Sequence, residues 1–126
     1  MKCKLLWMGD GLEERSGAEK LLDLAYGNHP KSSALKPEAL KVLRSLKEGA
    51  KKIDELAEVL GLDLKSMAGR KHFYVLLKPL RETGMITTRK AEGKTIYSLS
   101  IDGFGQFLRD LRKEAEYWLT TEMRQG

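Results

Sequence analysis

At Gly84 the spacing of apolar residues changes. Before it, Phe73, Leu76, Leu77 and Leu80 recur at the three-and-four spacing of a helix with one buried stripe, predicting a helix over about Ser66–Thr83. After it, Met85–Arg89 and Thr95–Ser100 are rich in β-branched residues and flank Lys90-Ala91-Glu92-Gly93-Lys94, which reads as a hairpin. A helix that stops at a glycine and passes directly into a charged hairpin admits few folds. Pro79 complicates the helix, because an interior proline lacks the N–H and costs about 3 kcal/mol. Two outcomes are open. The helix bends where the Val75 carbonyl loses its partner, letting Leu80 and Met85 turn into the core and setting the angle of the hairpin. Or it ends near Lys78 and a separate turn covers Leu80–Thr83.

Three helices are predicted upstream. Ser16-Gly17-Ala18-Glu19 has capping-box spacing and opens a helix to about Tyr26, with Ala18, Leu21, Leu22 and Ala25 on one face. Gly27-Asn28-His29-Pro30 ends it, His29 reads as a turn residue, and Lys31–Ser33 reads as loop. Pro37 suits the first turn of a second helix reaching about Glu48, with Leu40, Leu43 and Leu46 inward. A third spans about Ile53–Leu60, closed by Gly61, and Asp63 or Ser66 caps the next. After the hairpin, a last helix starts with Asp102 as N-cap. It carries Phe104, Phe107, Leu108, Leu111, Ala115, Trp118 and Leu119 along one side. The segment Met1–Gly11 fits either a short strand or a helical turn.

Charge is distributed unevenly. The 126 residues carry +5, yet residues 64–94 alone hold eight Lys or Arg against Glu82 and Glu92, a local +6, leaving −1 for the rest. An anionic partner fits that segment. No apolar run is long enough for a membrane span or a secretory signal, which predicts a cytoplasmic protein. Cys3, His29 and His72 make a poor metal set, and Cys3 reads as a small apolar residue. No cofactor is expected. No P-loop, GxSxG or HExxH motif appears, so an enzyme is not expected.

Two helices joined by a short glycine turn and followed by a charged hairpin make a winged helix-turn-helix. The predicted fold is therefore mainly α with a small β-hairpin wing, an α+β arrangement with an added N-terminal segment and a C-terminal dimerisation helix. Residues 1–34 form the N-terminal segment and first helix, 35–100 the DNA-binding domain, and 101–126 the last helix. In such folds the second helix enters the major groove and reads base edges. With the apolar stripe facing the core, Lys65, Arg70, Lys71, Tyr74 and Lys78 become the candidate recognition residues. Arg89, Lys90 and Lys94 become the wing residues that neutralise phosphates. The cationic side chains between positions 70 and 94 are expected to share one outward surface.

The run Ala39–Ile86, ALKVLRSLKEG…IDELAEVLGLD…FYVLLKPLRETGMI, resembles the winged-helix repressors of the ArsR type, which often read "RLRILRLL…ELAEALGLS…HLKxLREAGLV". Upstream, LLDLAYGN is similar to that family's "LLKALGN". The resemblance spans about residues 18–100. It implies a prokaryotic, two-fold homodimer built from the first and last helices, with two recognition helices about one DNA turn apart.

The sequence departs from the pattern twice. Gly61 to Gly84 is longer than usual. The excess falls in Leu64–Arg70, where Gly69 is expected to interrupt any helix, giving an expanded turn or a loose basic N-terminus. Metal-sensing members carry Cys pairs or carboxylate and His clusters; the recognition helix here has no Cys and the last helix no His, so no metal sensing is expected. His72 reads as a groove or surface residue.

The stripe Phe104, Phe107, Leu111, Ala115 and Trp118 is larger than the core can cover, which favours dimerisation. The alternative cover is Leu5, Leu6 and Trp7 folding back within one chain. The leading reading is a sequence-specific regulator of transcription binding double-stranded DNA, acting as a repressor. Its competitors are an architectural DNA-binding protein and a winged-helix interaction module of a larger complex.

Overall fold

A computed structural model describes residues 17–121. The expectations on Cys3, on Leu5–Trp7, on Met1–Gly11 and on Ser16 as a cap lie outside the described residues. Among the described residues six helices and three strands follow one another: α1 (described over 17–26), α2 (Pro30–Ser33), α3 (Lys36–Lys47), β1 (Lys51–Lys52), α4 (Ile53–Leu60), α5 (Met67–Glu82), β2 (Ile86–Ala91), β3 (Lys94–Leu99) and α6 (Ile101–Leu119). The sheet is antiparallel with order β1-β3-β2. The chain is a winged helix-turn-helix: α4 and α5 form the helix pair, β2 and β3 the wing, and β1 adds an edge strand beside β3, next to α4.

The core sits where α3, α4 and α5 meet the base of the wing. Ala39, Val42, Leu56, Phe73, Leu76, Leu77 and Leu80 are fully buried, joined by Ile86 and Tyr97 from the sheet. The predicted stripe of α5 is thus the inward face. On α3 the inward face is turned from the expected one: Ala39, Val42 and Leu46 are buried, while Leu40 and Leu43 lie half-buried at its flank. Tyr26 closes the far side. Its hydroxyl donates to the Leu76 carbonyl, fifty residues away, and Lys36 meets Asp23 at 2.5 Å, so α1 is tied to both α3 and α5. Burial, then the nearby Glu38 carboxylate, pushes the Tyr26 hydroxyl well above the usual phenol range.

Several boundaries differ from the sequence reading. Residues expected as loop after Pro30 make the single turn α2. His29 caps it, its Nδ1 accepting from the Lys31 N–H at 3.2 Å. The last helix is capped by Ser100, not Asp102: the Ser100 hydroxyl accepts from the Gly103 N–H at 2.8 Å. The hairpin loop is only Glu92-Gly93, with φ of 53° and 78°, so Lys90, Ala91 and Lys94 belong to paired strands. Positive φ at both loop positions gives the turn a twist matching that of the strands, and this lets the ladder run to the tip. The strand β1 was not foreseen; two residues carry no readable period.

α5 runs unbroken through Pro79 to Glu82, which removes the alternative of a break near Lys78. The lost bond falls on the Val75 carbonyl, beside residues that are exposed or half-buried. The end of the helix is secured twice over. Gly84, at φ +75°, closes it with the Met85 N–H donating to Leu80 O and the Gly84 N–H to Arg81 O, both at 3.0 Å. The buried Thr83 hydroxyl donates to Pro79 O at 2.9 Å. Leu80 and Met85 are buried, as the bending alternative requires.

Gly84 also meets α6. A Cβ on Gly84 would run into the Gly103 carbonyl, and one on Gly103 would sit 2.6 Å from Gly84 O. With the Ser100 N–H donating to Met85 O at 2.9 Å, this backbone approach locks the start of α6 against the base of the wing.

Candidate nucleic-acid interface

The α4–α5 turn is compact rather than expanded. Ser66 caps α5, its hydroxyl accepting from the Gly69 N–H at 2.9 Å and donating to Asp63 O at 3.1 Å. Asp63 accepts the Lys65 N–H at 2.9 Å. Gly69 does not interrupt the helix. It lies in the first turn, pressed so closely on the Asp63 carbonyl that a Cβ would clash. The expected loose basic N-terminus is instead a capped helix of sixteen residues, about 24 Å long.

At 100° per residue, Met67, Lys71, Tyr74 and Lys78 line up on the side of α5 opposite its buried stripe. All four are exposed. Arg70 and Arg81 flank this line on one edge; His72 and Pro79 lie on the other. Lys71, Tyr74 and Lys78 are therefore brought together as one stripe. Arg70 is placed differently: its Nη1 donates to Leu64 O at 3.1 Å and Lys65 O at 3.5 Å, so the guanidinium braces the turn. Lys65 sits exposed in that turn. Lys78 has Glu82 at 3.9 Å, an exposed i,i+4 pair worth at most a few tenths of a kcal/mol, about 0.3–0.5.

The wing divides its cations. Cross-strand pairing sets Arg89 against Ile96 and Lys94 against Ala91, which share one face of the ribbon. Lys90 pairs with Thr95 on the opposite face, the one that carries Tyr97. A single outward surface for all the cations is thus corrected: side chains alternate along a strand, and Lys90 is one residue out of step with Arg89. Lys94 also approaches Asp54 at the start of α4, at 3.4 Å.

The wing face with Tyr97 packs on α5. Tyr97 meets Phe73 edge-on with ring centroids 5.9 Å apart, and Phe73 meets Tyr74 at 5.4 Å. Burial, and then the neighbouring Tyr74, push the Tyr97 hydroxyl above its ordinary value, while Arg81 pulls it back. Tyr74, Lys78, Arg81 and Glu82 line one shallow depression on this side. Arg81 was missed as a candidate. Its spacing of seven from Tyr74 was the available signal, obscured by its place beside the helix end.

His72 lies away from the Lys71–Tyr74–Lys78 stripe. It is half-buried with Nε2 2.8 Å from Glu38 of α3, linking α5 to α3. Among the described residues no group of three or more His, Cys, Asp or Glu side chains is placed to hold a metal ion. None of the described helices is long and apolar enough to cross a membrane.

The last helix carries a second, apolar surface. Phe104, Phe107 and Ala115 are half-buried, with the two phenyl rings stacked at 6.2 Å, while Leu111 and Trp118 are exposed, Trp118 by 72%. Leu21 and Leu24 of α1 are exposed as well. Between α1, α3 and the start of α6 lies an apolar groove of about 470 Å³, with Leu21, Leu40, Leu43 and Phe104 in its walls.

No protein-family model and no curated protein sequence matches the chain. Among solved structures it is similar to the transcriptional repressor BigR from Xylella fastidiosa, at 19% identity over 90% of this chain and 98% of that one, TM-score 0.48. It is also similar to reduced HlyU from Vibrio cholerae, at 20% identity over 87% and 98%, TM-score 0.47. A third is the homodimeric winged helix-turn-helix DNA-binding domain of a possible ArsR-family regulator from Mycobacterium bovis, at 17% over 78% and 98%, TM-score 0.42. The winged helix-turn-helix itself is read from this chain's own element order and strand register.

Proposed function

We propose that the protein is a sequence-specific regulator of transcription that binds double-stranded DNA as a homodimer, acts as a repressor in the cytoplasm of a prokaryote and performs no catalysis. The observation that carries the reading is the stripe Lys71, Tyr74 and Lys78 on the outer side of α5, opposite a buried face and beside a paired wing. A helix of this length fits the major groove. Lys71 and Lys78 donate to guanine edges or phosphate, and Tyr74 donates to phosphate or packs on a sugar. Arg89 and Lys94 on one face of the wing, and Lys90 on the other, suit a ribbon tip with backbone on both sides. Lys65 and Arg70 act at the turn, Arg70 chiefly by holding it.

Residues 35–100 form the DNA-binding unit in this reading, and 101–126 with the first helix form the dimer contact. The exposed Leu21, Leu24, Leu111 and Trp118, together with the half-buried Phe104, Phe107 and Ala115, support that contact, since apolar surface of this extent marks an association site. A two-fold dimer places two copies of α5 so as to read an inverted repeat.

Selection from random duplex DNA tests the reading, followed by affinity against salt for the winning and a scrambled duplex. A preference of about 10³ or more is expected. Equal affinity would replace the regulator with an architectural protein. Weak binding to both would leave an interaction module of a larger complex.

A further inference from the structure

The outer side of α5 also holds two large apolar residues that the fold does not use. Met67, the first residue of the helix, is 77% exposed, and Val75, two turns on, is 48% exposed. Met67 stands in line with Lys71, Tyr74 and Lys78, and Val75 lies at the edge of that line, next to Lys71 and Lys78. A protein partner is disfavoured there, because the buried centre of a protein–protein interface is depleted in lysine. The major groove of DNA offers both kinds of neighbour at once: phosphates and acceptor edges for the cations, and one apolar group, the thymine C5-methyl.

We infer that Met67 and Val75 read thymine methyl groups, making the preferred duplex one with thymines at two fixed positions under each α5. The inference rests on the DNA-binding reading above and adds the base class that the site selects. The helix sets the spacing. Eight residues at 1.5 Å per residue separate Met67 from Val75 by about 12 Å. At about 3.4 Å per base step, a helix lying along the groove puts the two thymines roughly three to four steps apart. Each methyl withdrawn from water against a side chain contributes a factor of about four in affinity.

The test uses the full chain and the duplex recovered by selection. Each thymine is replaced in turn by deoxyuridine, which removes the methyl and nothing else. Affinities are measured at fixed salt for the natural chain, Met67→Ala and Val75→Ala. For the natural chain, two positions are expected to lose about fourfold. Met67→Ala removes the sensitivity at one and Val75→Ala at the other, while the salt slope is unchanged because no phosphate contact is lost. Both side chains are exposed, so folding is retained, and circular dichroism checks this. A duplex selected without thymine at two such positions would overturn the inference. So would tolerance of uridine everywhere within twofold, or the same sensitivity in both variants; in each of these cases the regulator stands. Selection that yields no preferred duplex overturns both.

Discussion

Replacing Gly84 by alanine separates two costs that coincide at that position. The first is conformational: at φ +75° an L-residue with a Cβ is strained by about 1–2 kcal/mol. The second is steric, since the new Cβ runs into the Gly103 carbonyl, and backbone on both sides leaves no flexible group to yield. Overpacking of this kind costs about 1–3 kcal/mol. Alanine recovers about 0.4–1 kcal/mol by restricting the unfolded chain. The net loss is therefore about 2–4 kcal/mol, on the order of 8–15 °C in Tm for a domain of this size. Gly93→Ala isolates the first cost. Its φ is +78°, but nothing lies within 4 Å of the added Cβ, so about 1 kcal/mol is expected. Gly103→Ala isolates the second: it lies in a helix, where alanine gains up to about 1 kcal/mol, yet its Cβ meets Gly84 O at 2.6 Å. The double variant Gly84→Ala/Gly103→Ala should lose less than the sum, because one approach is abolished only once. Urea unfolding followed by far-ultraviolet circular dichroism, at fixed protomer concentration, measures all four. If Gly84→Ala costs no more than Gly93→Ala, the locked junction between the wing and α6 is wrong.

Three further outcomes are expected. The Tyr26 hydroxyl titrates higher in the folded chain than its ordinary value of 10.0, so its contribution is fully present below pH 10 and falls as pH rises from there toward the folded value. Tyr26→Phe should cost about 1 kcal/mol at pH 7, from the lost bond to Leu76 O, and should lose stability less steeply than the natural chain above pH 10 in urea titrations. In binding assays, Lys71→Ala or Tyr74→Ala should relax preference at particular base pairs by about 1–3 kcal/mol, whereas Lys94→Ala should weaken all duplexes alike and lower the salt slope by about one; the reverse pattern would mean reader and wing are exchanged. Pro79→Ala restores the N–H that the Val75 carbonyl lacks and should straighten the end of α5, changing stability and DNA affinity together; a variant unchanged in both would show that the proline does not set the wing angle.

Local pattern carried the elements well. The stripe of Phe73, Leu76, Leu77 and Leu80, the glycine stops at Gly61 and Gly84, and the change of period after Gly84 depend only on neighbours within a turn or two. They read correctly as the helix pair and wing. α4 came out at its predicted bounds, Ile53–Leu60. Errors fell where two local signals compete. Asp102 and Ser100 are both good caps, and the choice was made by Ser100 docking on Met85. Lys90-Ala91 looked like loop because of charge, but pairing with β3 holds it extended.

What the sequence settled by itself is where the longer helices and the hairpin fall, because that is decided by side-chain period and by turn chemistry over a few residues. Tertiary structure alone decided the rest: Tyr26 reaching Leu76, His72 turning to Glu38 instead of the groove, Arg70 folding back on its own turn, β1 joining β3, and Gly84 meeting Gly103. In most of these the partner is far away along the chain, and in all of them packing chooses among several that local chemistry would accept equally well.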